Sequence, residues 1–160
     1  NPAIFRKRDI TSTQRTESLN GTPFALDMNW EQLSILGRRV RAYSIGSGQA
    51  FIKQYDRETF AVILTKGQAE VTSCSSEEKK PLSLGILKAG KMVGELGLVD
   101  GSPRSATVTA ITACEVLVLT QTDVDQLAID SPYTAFLLLR RILRDVSGKL
   151  RRATGKLTYA

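Results

Sequence analysis

The chain has 160 residues, a net charge of +6 and no histidine. The lack of histidine excludes the common zinc sites, Ser-His-Asp triads and histidine general bases. Because the sequence also offers neither a nucleophile–base pair nor a cluster of metal ligands, we predict no enzyme activity and no bound metal.

Cysteine usage and apolar runs predict the compartment. Two cysteines, Cys74 and Cys114, are consistent with reducing surroundings. The longest apolar run, 135–139, is far shorter than a membrane span, and no signal-peptide pattern is present. The sequence therefore predicts a cytoplasmic protein. Since it begins without methionine, we expect it to be part of a longer protein.

The positive charge is concentrated at the two ends of the chain. Residues 1–41 carry +3 and residues 140–160 carry +6, whereas residues 42–139 carry −3. One interpretation is that these basic residues lie on solvent-exposed helix faces and in a C-terminal tail. The alternative is contact with an acidic partner, a membrane surface or nucleic acid.

The N-terminal part is predicted to be a linker followed by one helix. Residues 1–25 are polar with little apolar periodicity, which is typical of a linker. Asn29 is a helix-capping residue type, and Gly37 is a helix-ending type. We expect a short helix between them, with Trp30 buried in the core.

Short strands are predicted from Val40 onward. Apolar runs of a few residues alternate with turns that contain glycine or proline, such as Lys66-Gly67. Many short strands of this kind favour a sandwich or barrel over a parallel sheet. The runs are Val40–Ile45, Phe51, Phe60–Leu64, Ala69–Val71, Leu82–Leu87, Ala106–Ile111 and Val116–Leu119.

Residues 93–108 carry the most informative motif. Gly94 precedes Glu95 in a stretch that is predicted to form one helical turn, whose free N–H groups favour an anion. Nine positions later, after Pro103, Arg104 offers a planar fork that suits a phosphate. Glu95 accepts hydrogen bonds and so suits a hydroxyl group. The motif therefore predicts a site for a phosphorylated sugar.

This motif resembles the phosphate-binding cassette of cyclic nucleotide-binding domains, which occur in catabolite activators, protein kinase regulatory subunits and cyclic nucleotide-gated channels. The resemblance implies a mainly β fold with flanking helices, the double-stranded β-helix or jelly roll of that family. It implies a β-roll with a leading helix over residues 26–131 and a C-terminal helix over 132–160 that acts as a lid, a dimerisation element or both. The matching residues are Gly94, Glu95, Leu96, Leu98, Pro103, Arg104, Ala106 and Thr107.

The resemblance also implies a role for each site residue. Glu95 is expected to bind the ribose 2′-hydroxyl, and Arg104 the cyclic phosphate with help from the Ser105 hydroxyl. Backbone N–H groups around Gly94, Leu96, Gly97 and Ala106 are expected to complete the phosphate cradle. The ligand is expected to be cAMP, with cGMP as the alternative. No further cofactor is implied.

One loop departs from the family pattern. Gln54-Tyr55-Asp56 stands where the family usually has Gln followed by Gly-Asp. Tyrosine adopts the left-handed conformation of a glycine only at a cost, so we expect this loop to have a different geometry.

The last helix carries a heptad-spaced apolar seam. We expect Thr122 or Asp123 to cap a short helix through Ile129, and Ser131-Pro132 to begin the final one. The seam either pairs with a second chain or folds back on its own domain, and Leu137, Leu138 and Ile142 widen it towards the barrel. Its residues are Phe136, Leu139, Leu143, Val146, Leu150, Ala153 and Leu157.

Three functions follow from the resemblance. The first is a sensor domain whose C-terminal helices move when a cyclic nucleotide binds, controlling an output domain or partner protein outside this chain. The second is a nucleotide-free structural or assembly domain of the same fold. The third is a truncated transcription regulator of the catabolite-activator type. No helix-turn-helix follows the last helix, so we do not expect this chain alone to bind nucleic acid.

Overall fold

The structure, a computed structural model, describes residues 3–75, 77 and 80–158, with side chains up to residue 155. Its elements in chain order are β1 (Arg6–Lys7), α1 (Ser12–Asn20), α2 (Phe24–Asp27), α3 (Trp30–Arg39), β2 (Arg41–Ile45), β3 (Ala50–Ile52), β4 (Ala61–Lys66), β5 (Gln68–Ser73), β6 (Leu82–Lys88), β7 (Met92–Val93), α4 (Glu95–Asp100), β8 (Thr107–Ala110), β9 (Cys114–Leu119), α5 (Gln121–Asp130) and α6 (Pro132–Thr158).

The strands form two antiparallel sheets. One has the order β1-β2-β9-β4-β7 and the other the order β3-β8-β5-β6. Strands distant in sequence are neighbours, as where β4 pairs with β9. This arrangement confirms the predicted mainly β fold with flanking helices.

Strands β4 and β9 separate two apolar cores. Val62 and Leu64 belong to the core inside the β-roll, whereas Ala61 and Ile63 belong to the core beneath the helices. Because successive side chains of a strand point to opposite faces, a strand covered on both sides must be apolar throughout. This explains the unbroken apolar run that begins at residue 60.

The prediction of a linker over residues 1–25 is wrong at α1. Thr11 caps this helix and exchanges hydrogen bonds with Gln14 in a capping box. The helix touches the core through few residues, with Leu19 fully buried and Thr16 packed at Gly37. So few buried positions leave no apolar periodicity in the sequence.

Three details of the other helices also differ from expectation. Asn29 caps α3 as predicted, but Trp30 is 49% exposed and the helix continues past Gly37 to Arg39. A Cβ at Gly37 would collide with Thr16, so this glycine permits close packing and does not end the helix. Helix α5 is capped by Thr120, and Asp123 completes its capping box.

The final helix begins at Pro132, as predicted, and its first turns pack on the helical core. Leu137, Leu138 and Ile142 are buried there, and Val146 is half-buried against the same core. Arg141 and Arg144 both bind the carboxylate of Asp27 on α2, at 2.5 and 2.9 Å. The domain bounds 26–131 and 132–160 stay predictions.

Candidate ligand-binding site

One pocket gathers all seven predicted site residues. It has a volume of about 550 Å³ and lies between the four-stranded sheet and the segment 93–108. This volume is within the range of small-molecule sites. Its walls include Gly94, Glu95, Leu96, Gly97, Arg104, Ser105 and Ala106, together with the β6 residues Leu84 and Ile86 and with Lys149 of α6. The binding roles of the seven stay predictions.

The short helix α4 depends on glycine at its first corner. Gly94 precedes α4 with φ of 78°, and Gly101 ends it with φ of 68°, both left-handed. A Cβ at Gly94 would collide with Nη1 of Arg104 and lie 3.0 Å from the carbonyl oxygen of Phe60. Glycine is therefore required at residue 94, both for the turn and for the close approach of Arg104.

Arg104 is buried and firmly positioned. Its Nη1 donates to the carbonyl of Gly94 at 3.0 Å and its Nη2 to that of Phe60 at 2.5 Å. The guanidinium also lies 4.9 Å from the centroid of the Phe60 ring, a cation–π contact. Its buried Nε has no hydrogen-bond partner among the described residues. An arginine has five N–H donors, so this side chain keeps capacity for an anion.

The backbone of Arg104 is held by the loop that departs from the family pattern. Tyr55 N donates to Arg104 O at 2.8 Å, and Arg104 N donates to Asp56 O at 2.7 Å. Tyr55 has φ of 75°, the one positive φ outside glycine in the described part of the chain. The expectation that tyrosine avoids this conformation is wrong. Its hydroxyl donates to the carbonyl of Cys74 at 3.2 Å, which helps to offset a strain of about 1–2 kcal/mol.

Burial lowers the pKa of the Arg104 guanidinium from its ordinary value, and the carboxylates of Glu58, Asp56 and Glu95 offset part of this effect. Arginine nevertheless stays charged at physiological pH. A buried cation with an unpaired donor favours an anionic partner, because an unsatisfied buried donor costs about 1–3 kcal/mol.

Glu95 is buried on the first turn of α4 and is already paired. Its Oε1 lies 2.6 Å from Nζ of Lys149 on α6. Sequence reasoning missed Lys149, because nothing in the sequence distinguishes this lysine from the neighbouring basic residues of the last helix. The contact is visible only once α6 is placed over the pocket.

Other kinds of site find no support in the described part of the chain. No group of three or more Cys, Asp and Glu residues there is arranged to hold a metal ion. None of the helices described is both long and apolar enough to cross a membrane.

Comparison with known proteins identifies the family. The model of the cyclic nucleotide-binding domain matches residues 43–131, more than half of the chain. A cyclic nucleotide-binding domain from Methylobacillus flagellatus has a TM-score of 0.79 at 20% identity, covering 92% of this chain and 82% of that one. The regulatory domain of Toxoplasma gondii PKA, solved with cAMP, has a TM-score of 0.68 at 21% identity, covering 83% of this chain and 50% of that one. A third structure comes from work on a cyclic-GMP-dependent signalling pathway that regulates bacterial phytopathogenesis. It has a TM-score of 0.62 at 30% identity, covering 75% of this chain and 95% of that one. The chain belongs to the cyclic nucleotide-binding domain family.

Proposed function

We propose that this chain is a sensor domain that binds cAMP in the pocket between α4 and Arg104 and thereby repositions the end of α6. The moving helix controls an output domain or partner protein outside this chain. The observation that carries the proposal is the buried guanidinium of Arg104, which has an unpartnered Nε and lines a pocket of about 550 Å³.

The phosphate and the ribose 2′-hydroxyl of the ligand match the two charged cassette residues that line the pocket, Arg104 and Glu95. Arg104 pairs with the cyclic phosphate, and the Ser105 hydroxyl and the backbone N–H groups of Gly94, Leu96, Gly97 and Ala106 complete the cradle. Glu95 accepts a hydrogen bond from the ribose 2′-hydroxyl. Charge-assisted hydrogen bonds of this kind contribute about 1.5–3 kcal/mol each. The apolar walls, including Ile52, Val71 and Ile86, offer a surface for the base.

Helix α6 supplies the conformational readout. Its residue Lys149 binds Glu95, a cassette residue, so a ligand that engages Glu95 acts directly on the position of α6. A ligand shifts such an equilibrium only by its difference in affinity for the two states. The difference in affinity arises because Glu95 binds Lys149 in one state and the ligand in the other.

cGMP is the second candidate ligand. It is favoured by the 30% identity to the protein of the cyclic-GMP-dependent pathway. Threonine at the position of Ser105 favours cGMP within the family, whereas Arg-Ser, as in this chain, also occurs in cAMP binders. We place cAMP first because the cassette sequence, Gly-Glu-Leu-Gly-Leu from Gly94 and Arg-Ser-Ala from Arg104, most resembles that of the catabolite activators.

Calorimetric titration with cAMP and with cGMP tests the proposal. We expect heat with cAMP and an affinity loss of about 2–5 kcal/mol for Arg104→Ala, because the phosphate then has no charged partner. Arg104→Lys, which keeps the charge, should bind with intermediate affinity even if the alanine variant folds poorly. Arg57→Ala, at an exposed arginine, is the matched control and should bind as wild type does. The absence of heat from wild type with both nucleotides would contradict the proposal.

We further propose that the chain forms a homodimer through the α6 seam. Phe136, Leu139, Leu143 and Leu150 are between 43% and 67% exposed. Val146, in contrast, packs against the helical core. Ala153 is exposed, and the side chain of Leu157 lies outside the described residues. A heptad-spaced row of exposed apolar side chains is typical of a coiled-coil seam.

Sedimentation velocity tests the dimer. Leu143→Gln with Leu150→Gln should convert a dimer into a monomer. The matched control replaces Leu26 and Ile129 with glutamine, because these residues are as exposed but lie outside the seam. A monomeric wild type at high concentration would refute the dimer and leave the ligand proposal intact.

A further inference from the structure

We infer that Lys149 is a specificity-determining residue of the pocket, whose ammonium competes with the ligand's 2′-hydroxyl for the carboxylate of Glu95. The inference rests on the proposed function, since it concerns how a cyclic nucleotide is bound there. Lys149 lies outside the cassette, and its effect on affinity is opposite to that of Arg104. Arg104 strengthens nucleotide binding, whereas the competing contact of Lys149 weakens it.

The contact itself is specific. Nζ of Lys149 lies 2.6 Å from Oε1 of Glu95, whose side chain is 6% exposed. Between α6 and the segment 93–108 it is the one ion pair or side-chain hydrogen bond in the described part of the chain. Lys149 also lines the pocket, so its side chain stands where a ligand would enter.

The pair satisfies Glu95 while no ligand is bound. A buried carboxylate without a partner is costly, and the ammonium removes that cost. A ligand hydroxyl that donates to the same carboxylate also makes a charge-assisted hydrogen bond, but it carries no positive charge and so does not replace the electrostatic attraction of the ammonium. Part of the free energy gained from the 2′-hydroxyl is therefore spent on displacing Lys149.

Displacement is feasible because about half of the lysine side chain is exposed to solvent. Its side chain is 51% exposed, so the released ammonium returns to water without a burial cost. The helix around it has few anchors, since Gly148 precedes Lys149 and the neighbouring Leu150, Arg151 and Arg152 are exposed. Exposed ion pairs are weak, and the buried partner makes this one stronger than a fully exposed pair.

A comparison of two ligands isolates this competition. cAMP and 2′-deoxy-cAMP differ only in the hydroxyl that Glu95 accepts from, so their affinity ratio measures the contribution of that contact. We would titrate both into wild type, Lys149→Met and Lys149→Arg. Arg151→Met is the matched control, because it removes the same charge from a neighbouring exposed position of α6.

We expect Lys149→Met to bind cAMP about fivefold tighter than wild type and 2′-deoxy-cAMP no tighter, so that the ratio rises about fivefold. Lys149→Arg and Arg151→Met should keep the wild-type ratio.

Two results would overturn the inference without touching the proposed function. One is equal or weaker cAMP binding by Lys149→Met, which would make the lysine neutral or a direct ligand contact. The other is a parallel gain for both nucleotides, which would mean that the side chain merely obstructs the pocket. No binding by wild type or any variant would overturn the proposed function and this inference together.

Discussion

The two parts of α6 share one helix and one apolar spacing, yet they are held very differently. In residues 132–146, Leu137, Leu138 and Ile142 are buried, and Asp27 binds two arginines. Residues 147–158 make one ion pair with the rest of the domain in the described part of the chain, between Lys149 and Glu95. The first part is fixed by burial, and the last part depends on a single contact inside the pocket.

This difference in anchoring is why our proposal assigns the movement to the last part of α6. Burying a leucine or isoleucine side chain stabilises a fold by about 1.5–3 kcal/mol, so three of them hold the first part in place. A half-exposed ion pair contributes about 1 kcal/mol or less. We therefore propose that the last turns leave the barrel while the first part stays docked, because a ligand that takes Glu95 from Lys149 would remove the one ion pair described for them.

The largest expected effect compares equal truncations in the two parts. Leu138→Ala should lower the free energy of unfolding by about 3 kcal/mol, because the side chain is fully buried. Leu150→Ala, at a residue that is 65% exposed, should cost less than about 0.5 kcal/mol. Urea denaturation measures both. Equal losses would contradict the comparison, and a loss at Leu150 that grows with protein concentration would report the dimer.

A smaller effect is expected from the clamp on α2. Asp27→Asn should lower the free energy of unfolding by about 2 kcal/mol, because it leaves the mostly buried Arg141 with only its longer ion pair to Asp145, at 3.9 Å. Asp130→Asn is the control, since it breaks a more exposed pair with Arg39 and should cost less than about 1 kcal/mol. Thermal unfolding followed by circular dichroism compares the variants. If Asp27→Asn costs no more than Asp130→Asn, the clamp does not anchor α6.

The smallest expected effect concerns the glycine at the boundary. Gly148→Ala should stabilise the helix locally by about 0.5–1 kcal/mol, because alanine loses less conformational freedom and the new Cβ would lie 3.4 Å from the flexible end of Arg152. We expect slower amide exchange in residues 149–155 and little change in global stability. A rise in global stability by the full amount, without local slowing, would mean that the two parts of α6 open together.

The sequence was sufficient where the signal is local. The segment 93–108 contains its own turn glycine, acid and arginine, so these residues could be predicted to lie close together without knowing the rest of the fold, while their binding roles stay predictions. Short apolar runs between turns likewise predicted the strands. The sequence of α6 also showed apolar residues on two faces, represented by Leu138 and Leu143. These features depend on neighbours within a few residues.

The missed features depend on contacts between distant segments. Helix α1 buries so few residues that it resembles a linker, and Trp30 is exposed because α3 presents Leu33 and Leu36 to the core in its place. Tyr55 accepts a strained conformation because Cys74 and Arg104 hold its loop. Lys149 became a pocket residue only through the path of α6. Residue types alone do not encode these pairings.

Amide hydrogen exchange of the wild-type domain, with and without saturating cAMP, tests the central claim most directly. We predict that cAMP slows exchange in 93–106 and changes it in residues 147–155, while residues 135–142 of α6 exchange at the same rate in both states. Identical exchange throughout α6 with the nucleotide bound would contradict the account, because the ligand would then occupy the pocket without acting on the helix.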